Sequence, residues 1–356
     1  MRVERSVPFS CPTRTIRLFG GRVSRRVHLH ALSGAGITIG AVVLLALADL
    51  SLGAYPTPIS TVLEVLAGGG DHHARLAVAE WRLPRVVAAL LFGAALGMSG
   101  AIFQSLARNP LGSPDIIGID SGAFTGILFV ILFAGYTPTG IAAGAFVGGT
   151  TAALTAYLLA RGSSGLRFVL TGVGIAMPLT AFNTWMLSTS RLEVATAAAT
   201  WGAGSLDNLE RGEIIPIAGL LLGLMLCAVC LQRRLQSLNL GDDIARAHGM
   251  KVDRLRTVLL LLGAALTICV TALAGPIGFV ALAAPQLSRL ATRAGDLSLA
   301  TAAIMGCALL VAADIISIHL FAPTRPPVGL VTLIGGGAYL IALLSLQLRS
   351  TNTRRQ

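Results

Sequence analysis

Charge is scarce in this chain. Only 12% of its 356 residues are Asp, Glu, Lys or Arg, about half the share of an ordinary soluble domain. A sizeable water-soluble surface is therefore excluded. There is no GxxxxGK(S/T) loop, which rules out nucleotide binding by that route. No strict apolar–polar alternation recurs, which argues against a β-barrel. Paired carboxylates, a Ser/His/Asp set or a His-rich cluster at one depth are also lacking. No catalytic residue, metal ligand or resident cofactor is assigned to this chain. Cys227 and Cys230 have CxxC spacing, but they sit inside an apolar stretch beside no other ligand and read as small hydrophobes. His72 and His73 lie in an expected outer loop, where they read as exposed polar residues.

Apolar runs take the place of all this. Stretches of about 20 residues, enough to cross about 30 Å of hydrocarbon, recur at 31–52, 84–106, 114–135, 138–160, 166–188, 213–232, 255–273, 276–292, 299–320 and 327–348. The expected architecture is an all-α polytopic membrane protein of about ten transmembrane helices. With the N-terminus inside, 21 of the 27 Lys and Arg fall on the cytoplasmic side, as the positive-inside rule requires. The net charge of +11 therefore marks orientation in a lipid membrane rather than affinity for nucleic acid. Both termini are expected in the cytoplasm. Residues 1–30 read as a basic, disordered cytoplasmic leader, 31–348 as one transmembrane permease domain, and 349–356 as a cytoplasmic tail.

Several spans are interrupted, by Pro178 in the fifth, Pro285 in the eighth and Gly275-Pro276 just before it. Broken backbone at membrane depth is tolerated where it is buried in protein or lines a cavity, so these positions stand between a translocation path and simple kinks. Glycines at helical spacing (Gly93/Gly97, Gly140/Gly144/Gly148) and the run Gly335–Gly337 predict close helix packing. Asp314 is the ionisable residue set well inside a span. A single aspartate reads as a partner for neighbouring helix groups rather than as the relay of an ion-coupled carrier.

Two polar segments stand out. The cytoplasmic loop 233–256 carries six Lys and Arg. Gly241-Asp242-Asp243 starts a short helix with first-turn carboxylates, Leu240, Ile244 and Ala247 share a face, and Gly249 suits a left-handed C-cap. A second helix begins at Val252-Asp253 and carries Arg254 towards the next span. Two short helices joined at a glycine predict a compact knob, against the plainer reading of a basic loop that serves topology. At the outer mouth of the second span, Glu80-Trp81-Arg82-Leu83-Pro84-Arg85 places Arg82 and Arg85 three residues apart, so that they share one face and point to the outer surface. They suit carboxylates of an external partner or interfacial anchoring beside Trp81.

These residues resemble the FecCD family of binding-protein-dependent ABC permeases. The likeness is carried by Trp81-Arg82-Leu83-Pro84-Arg85, the run Gly93–Gln104, Arg108-Asn109-Pro110-Leu111-Gly112-Ser113-Pro114-Asp115, Gly275–Val280, Ala284-Pro285, Ala313-Asp314 and Pro327–Thr332. It covers about residues 35–348. The resemblance implies a BtuC-like type II importer fold, with a second FecCD-type permease, two cytoplasmic ATPase subunits holding ATP and magnesium, and an extracytoplasmic binding protein. Leu240, Gly241, Asp242, Asp243, Ile244, Ala247, Gly249 and Arg254 would then belong to the ATPase-coupling segment, and Arg82 and Arg85 would meet acids of the binding protein. Pro178, Asn183, Pro285 and Gly335 become candidates for the translocation path. Glu80-Trp81-Arg82, Phe182-Asn183-Thr184-Trp185 and Gly241-Asp242-Asp243 bring the chain nearest to permeases for iron(III) bound to catecholate siderophores. Cobalamin or haem is the alternative cargo, because the outer loops are close to neutral and favour neither. The family's usual histidine after Pro285 is Gln286 here.

Overall fold

A computed structural model describes residues 13–18, 23–53, 56–135, 137–160, 166–207, 209, 211–292, 298–320 and 325–353. Helices dominate: α1 (Leu29–Ser51), α2 (Ile59–Leu66), α3 (His72–Arg75), α4 (Leu83–Ala107), α5 (Ile119–Phe133), α6 (Pro138–Leu159), α7 (Leu166–Thr189), α8 (Leu192–Gly202), α9 (Arg211–Asn239), α10 (Asp242–Ala247), α11 (Val252–Ala274), α12 (Val280–Thr292), α13 (Leu299–His319) and α14 (Val328–Thr353). A π-helical turn, Leu76–Arg82, joins α3 to α4 without a break. The leader is not structureless throughout: strands β1 (Thr13–Leu18) and β2 (Val23–His28) pair antiparallel, from Thr13 opposite His28 to Leu18 opposite Val23. Residues 1–12 and 354–356, the outer parts of the expected leader and tail, lie outside the described residues.

Each expected span contains a helix, but the bounds differ. Among the described residues, seven helices are long and apolar enough to cross a membrane. α5 has 15 residues and α12 has 13, about 20 Å at 1.5 Å per residue. The eighth span, expected from residue 276, starts only at Val280 because Gly275–Phe279 is not helical. The second span begins twelve residues early: His72 and His73, expected in a loop, form the first turn of α3, where the Asp71 carboxylate accepts from Ala74 N–H at 2.9 Å.

Helix α4 is the hub. Its residues from Phe92 to Ala107 are nearly all buried, and it packs on α13, α11, α12 and α9. Lipid supplies no hydrophobic pull between helices, so close backbone approach must hold them. A Cβ on Gly93 would fall on the Gly306 carbonyl, one on Gly306 on the Gly93 carbonyl, and one on Gly100 on that of Ala281. Polar cross-links add to this: Ser99 Oγ donates to Gly263 O at 2.8 Å, and Gln104 Nε2 to Leu282 O at 2.9 Å. On the far side, α5 and α6 interlock through Gly122, Gly126, Gly144 and Gly148.

Gly306→Ala should therefore destabilise the bundle by about 1–3 kcal/mol through overpacking. Gly219→Ala, with open space around it, should be neutral or slightly stabilising. Thermal unfolding of the two detergent-purified variants checks the contrast.

Candidate functional site

The knob expected at 233–256 forms because α9 runs 29 residues, from Arg211 to Asn239, well past its apolar stretch. Gly241 (φ 122°) breaks the helix and serves as the N-cap of α10 without a side-chain cap, while Asp242 and Asp243 occupy the first turn. α10 ends at Gly249 (φ 75°), with Gly249 N–H donating to Arg246 O at 2.8 Å and Met250 N–H to Ala245 O at 3.1 Å. This pair of bonds is the Schellman arrangement, which needs the left-handed residue. Ala245 is buried beneath the helix, whereas Leu240 and Ile244 are 66% and 45% exposed. Ala247, Gly249 and Arg254 are exposed as well. An apolar ridge thus projects from a short helix closed at both ends by glycine.

Asp242 has a second role that its position in the first turn did not reveal. Its carboxylate accepts from Arg108 Nη2 at 2.7 Å and from Arg256 Nη2 at 2.8 and 3.0 Å. Arg108 is the left-handed C-cap of α4, and Arg256 lies in the first turns of α11. One acid therefore ties α10 to the ends of two core helices. Asn239 Nδ2, 3.4 Å from Ser105 Oγ, adds a link from α9 to α4.

At the end of α4 away from the knob, Arg82 and Arg85 are both engaged in bonds within the chain. Arg82 Nη1 donates to Leu50 O at 2.8 Å and lies within 3.4 Å of Ser51 O and Thr57 Oγ1, so it closes the C-terminal carbonyls of α1. Arg85 bonds Asp314 with Nε at 2.8 Å and Nη2 at 2.7 Å, and pairs with Asp207 through Nη1. Asp314 is fully buried, which makes its forked pairing with Arg85 the condition of its burial. Burial pulls the Asp207 carboxyl upward, yet the hydrogen bond and charge of Arg85 outweigh it and hold the group below the usual carboxylate range. The pair therefore contributes above an unfolded value of about 3.9, and that contribution is lost as pH falls through the lower folded value. Arg82, Arg85, Asp207, Arg325 and Trp81 line an outer cavity of about 540 Å³, with Trp81 73% exposed at its rim.

Between these ends, Asn183 of α7 is buried and bonded on both sides. Its Oδ1 accepts from Thr125 Oγ1 at 2.7 Å, and its Nδ2 donates to Ser121 O at 3.0 Å. It lines a cavity of about 200 Å³ with Asp120, Ser121, Thr180, Thr184 and Pro276. The non-helical segment Gly275–Phe279, with φ 74° at Gly275 and 70° at Phe279, is held by two carboxylates near the start of α5. Thr271 Oγ1 donates to Asp120 Oδ1 at 2.8 Å, and Phe279 N–H to Asp115 Oδ2 at 3.2 Å. Asp115 and Asp120 thus grip both sides of the break. Pro178 lies on an exposed face of α7, Pro285 is buried within α12, and Gly335 of α14 faces open space. None of these three lines the Asn183 cavity. Gln286 Nε2 donates to Pro110 O at 2.7 Å and its Oε1 accepts from Tyr339 at 3.1 Å, joining α12 to the α4–α5 turn and to α14.

A bundle of membrane helices with a polar knob at one end, a charged cavity at the other and a break between them has the form of a transport-system permease subunit. Residues 17–345 match the FecCD transport family, and the chain belongs to that family. It is 43% identical to the ferric enterobactin transport system permease protein FepG of Escherichia coli (strain K12), over 90% of this chain and 97% of that one. It is 36% identical to the achromobactin transport system permease protein CbrC of Dickeya dadantii, over 92% and 95%. A solved structure of a metal-chelate type ABC transporter in an inward-facing conformation superposes with a TM-score of 0.76 at 25% identity, covering 88% of this chain and 99% of that one.

Asp242→Asn should loosen the knob without disturbing the bundle. Amide exchange across 241–250 is expected to rise about tenfold, with α4 and α13 unchanged in the same hydrogen–deuterium experiment.

Proposed function

We propose that this chain is the permease subunit of an ATP-driven, binding-protein-dependent importer that carries an iron(III)–siderophore complex of the catecholate class into the cytoplasm. The observation that carries the cargo is the 43% identity to a ferric enterobactin permease along nearly the whole of both chains. ATP is hydrolysed on partner subunits. Two cytoplasmic ATPases meet the knob at Leu240, Gly241, Asp243, Ile244, Ala247, Gly249 and Arg254, with Asp242 fixing the knob to α4 and α11. A second FecCD-type permease completes the path, and an extracytoplasmic siderophore-binding protein docks over the outer cavity near Arg82 and Arg85. The chain sits in the cell membrane with both termini cytoplasmic. The path borders α7 at Asn183 and the break at Gly275–Phe279, with Pro178, Pro285 and Gly335 as its further candidate positions.

Transport needs two bundle states that the closed ATPase binds with different affinity. A knob capped at both ends transmits that difference because it has little freedom to absorb it. Gly249→Val tests this. The substitution forces a β-branched residue to φ 75°, a strain on the order of 1–3 kcal/mol confined to an exposed turn. Membrane insertion and bundle melting should persist while uptake of ferric enterobactin by proteoliposomes holding the full assembly falls to background. Unimpaired uptake would remove the coupling role. Accumulation by this chain alone, driven by an ion gradient without ATP, would overturn the importer class. Uptake of haem or cobalamin in preference would replace the cargo.

A further inference from the structure

We propose that Asp207 is the exchangeable counter-ion of the outer network, and that the strap Ala203–Asp207 carries its release to the break between α11 and α12. The inference rests on the reading that an extracytoplasmic carrier docks at the outer cavity. It adds what the docking does inside the molecule.

The two carboxylates on Arg85 are unequal. Asp314 is fully buried and takes two guanidinium nitrogens. Asp207 takes one, and its side chain is 38% exposed. An acidic side chain arriving through the cavity can replace Asp207 without stranding a buried charge, whereas replacing Asp314 would strand one. Arg325 lines the same cavity and offers the displaced carboxylate another cation. Ion pairs at such half-exposed sites are worth little individually, which is what an exchange between two acids on one arginine requires.

Release of Asp207 would be felt along a short stretch of chain. Ser205 Oγ donates to Asp207 Oδ2 at 2.7 Å and accepts from Asp207 N–H at 3.1 Å, closing a tight turn. Ser205 N–H donates to the carbonyl of Ala274, the last residue of α11, at 2.7 Å. Gly204 O accepts from Gly329 N–H in the first turn of α14 at 2.9 Å. Leu206 is 1% exposed and acts as the pivot. Gly204 leaves no room for a side chain: a Cβ there would fall on the Pro276 carbonyl. Contact this close passes a small displacement of the strap directly to Gly275-Pro276 and to α14, because packed backbones shift between discrete arrangements rather than deforming smoothly.

Hydrogen–deuterium exchange on the chain in nanodiscs tests the strap without any partner. Asp207→Asn should accelerate exchange of the Ser205 and Gly329 amides about tenfold, and Asp207→Glu should restore protection. Exchange that is unchanged, or raised at Ser205 but not at Gly329, overturns the relay. In the assembled transporter, Asp207→Asn should raise ATP hydrolysis without the carrier about fivefold and shrink the carrier's stimulation to match. Hydrolysis that still waits for the carrier as in the wild type overturns the relay and leaves the proposed function standing. A wild-type assembly that the carrier never stimulates overturns the docking reading, and the relay with it.

Discussion

Helices in lipid gain nothing from hiding apolar surface from one another, since the solvent is as apolar as they are. What holds them is contact close enough for dispersion and for weak polar attraction between backbones. In this chain that constraint falls on α4. Gly93 meets Gly306 across the α13 crossing, and Gly100 meets the backbone of α12. With those contacts in place, α4 can be surrounded by α13, α11, α12 and α9, and the outer helices need not pack as tightly. α1, α7 and α9 have only a sixth of their apolar windows buried. They keep their exposed faces for lipid or for other subunits.

The charged residues obey the same geometry. Arg85 stands in the first turn of α4 and Arg108 at its C-cap, and each binds an aspartate delivered by another element. Outside, Asp314 of α13 and Asp207 of the α8–α9 connection converge on Arg85. Inside, Asp242 of α10 bridges Arg108 and Arg256. The most buried of the candidate spans therefore has an ion-pair joint at each end of α4. The outer joint lies beside the cavity and the inner one beneath the apolar ridge. Thermodynamic coupling between sites requires a contiguous element that both can bias, and α4 with the helices locked to it meets that requirement.

Composition and apolar periodicity made the class legible: every expected span carries a helix, and the knob has its break at Gly241 and its left-handed end at Gly249. What stayed hidden was partner choice over long sequence separation. Nothing local ties Arg85 to Asp314, 229 residues away, or Asp242 to Arg108, 134 residues away. Short elements also misled. The 276–292 stretch is apolar enough to read as a full span, yet the chain is not helical until Val280 and α12 has only 13 residues. Asn183 was named from sequence as a candidate for the path, in a span that stays one continuous helix through Pro178, but its bonds to Thr125 and to the backbone of Ser121 depend on the α5–α7 crossing.

One local feature shapes the approach to Arg82 and Arg85, the π-helical turn at Leu76–Arg82. A π turn holds one residue more than the α-helical path it replaces. Its presence sets the azimuth of everything before it: α3 and the small apolar cluster of Leu50, Val62, Val65, Ala74 and Val78 are rotated about the α4 axis relative to an uninterrupted helix. Deleting one residue from this turn would restore ordinary winding and swing that vestibule wall by roughly 100°, parting Trp81 from the arginines beneath it. Length in this short stretch is thus under tighter constraint than residue identity, and insertions or deletions here should be far rarer among functional variants than point changes.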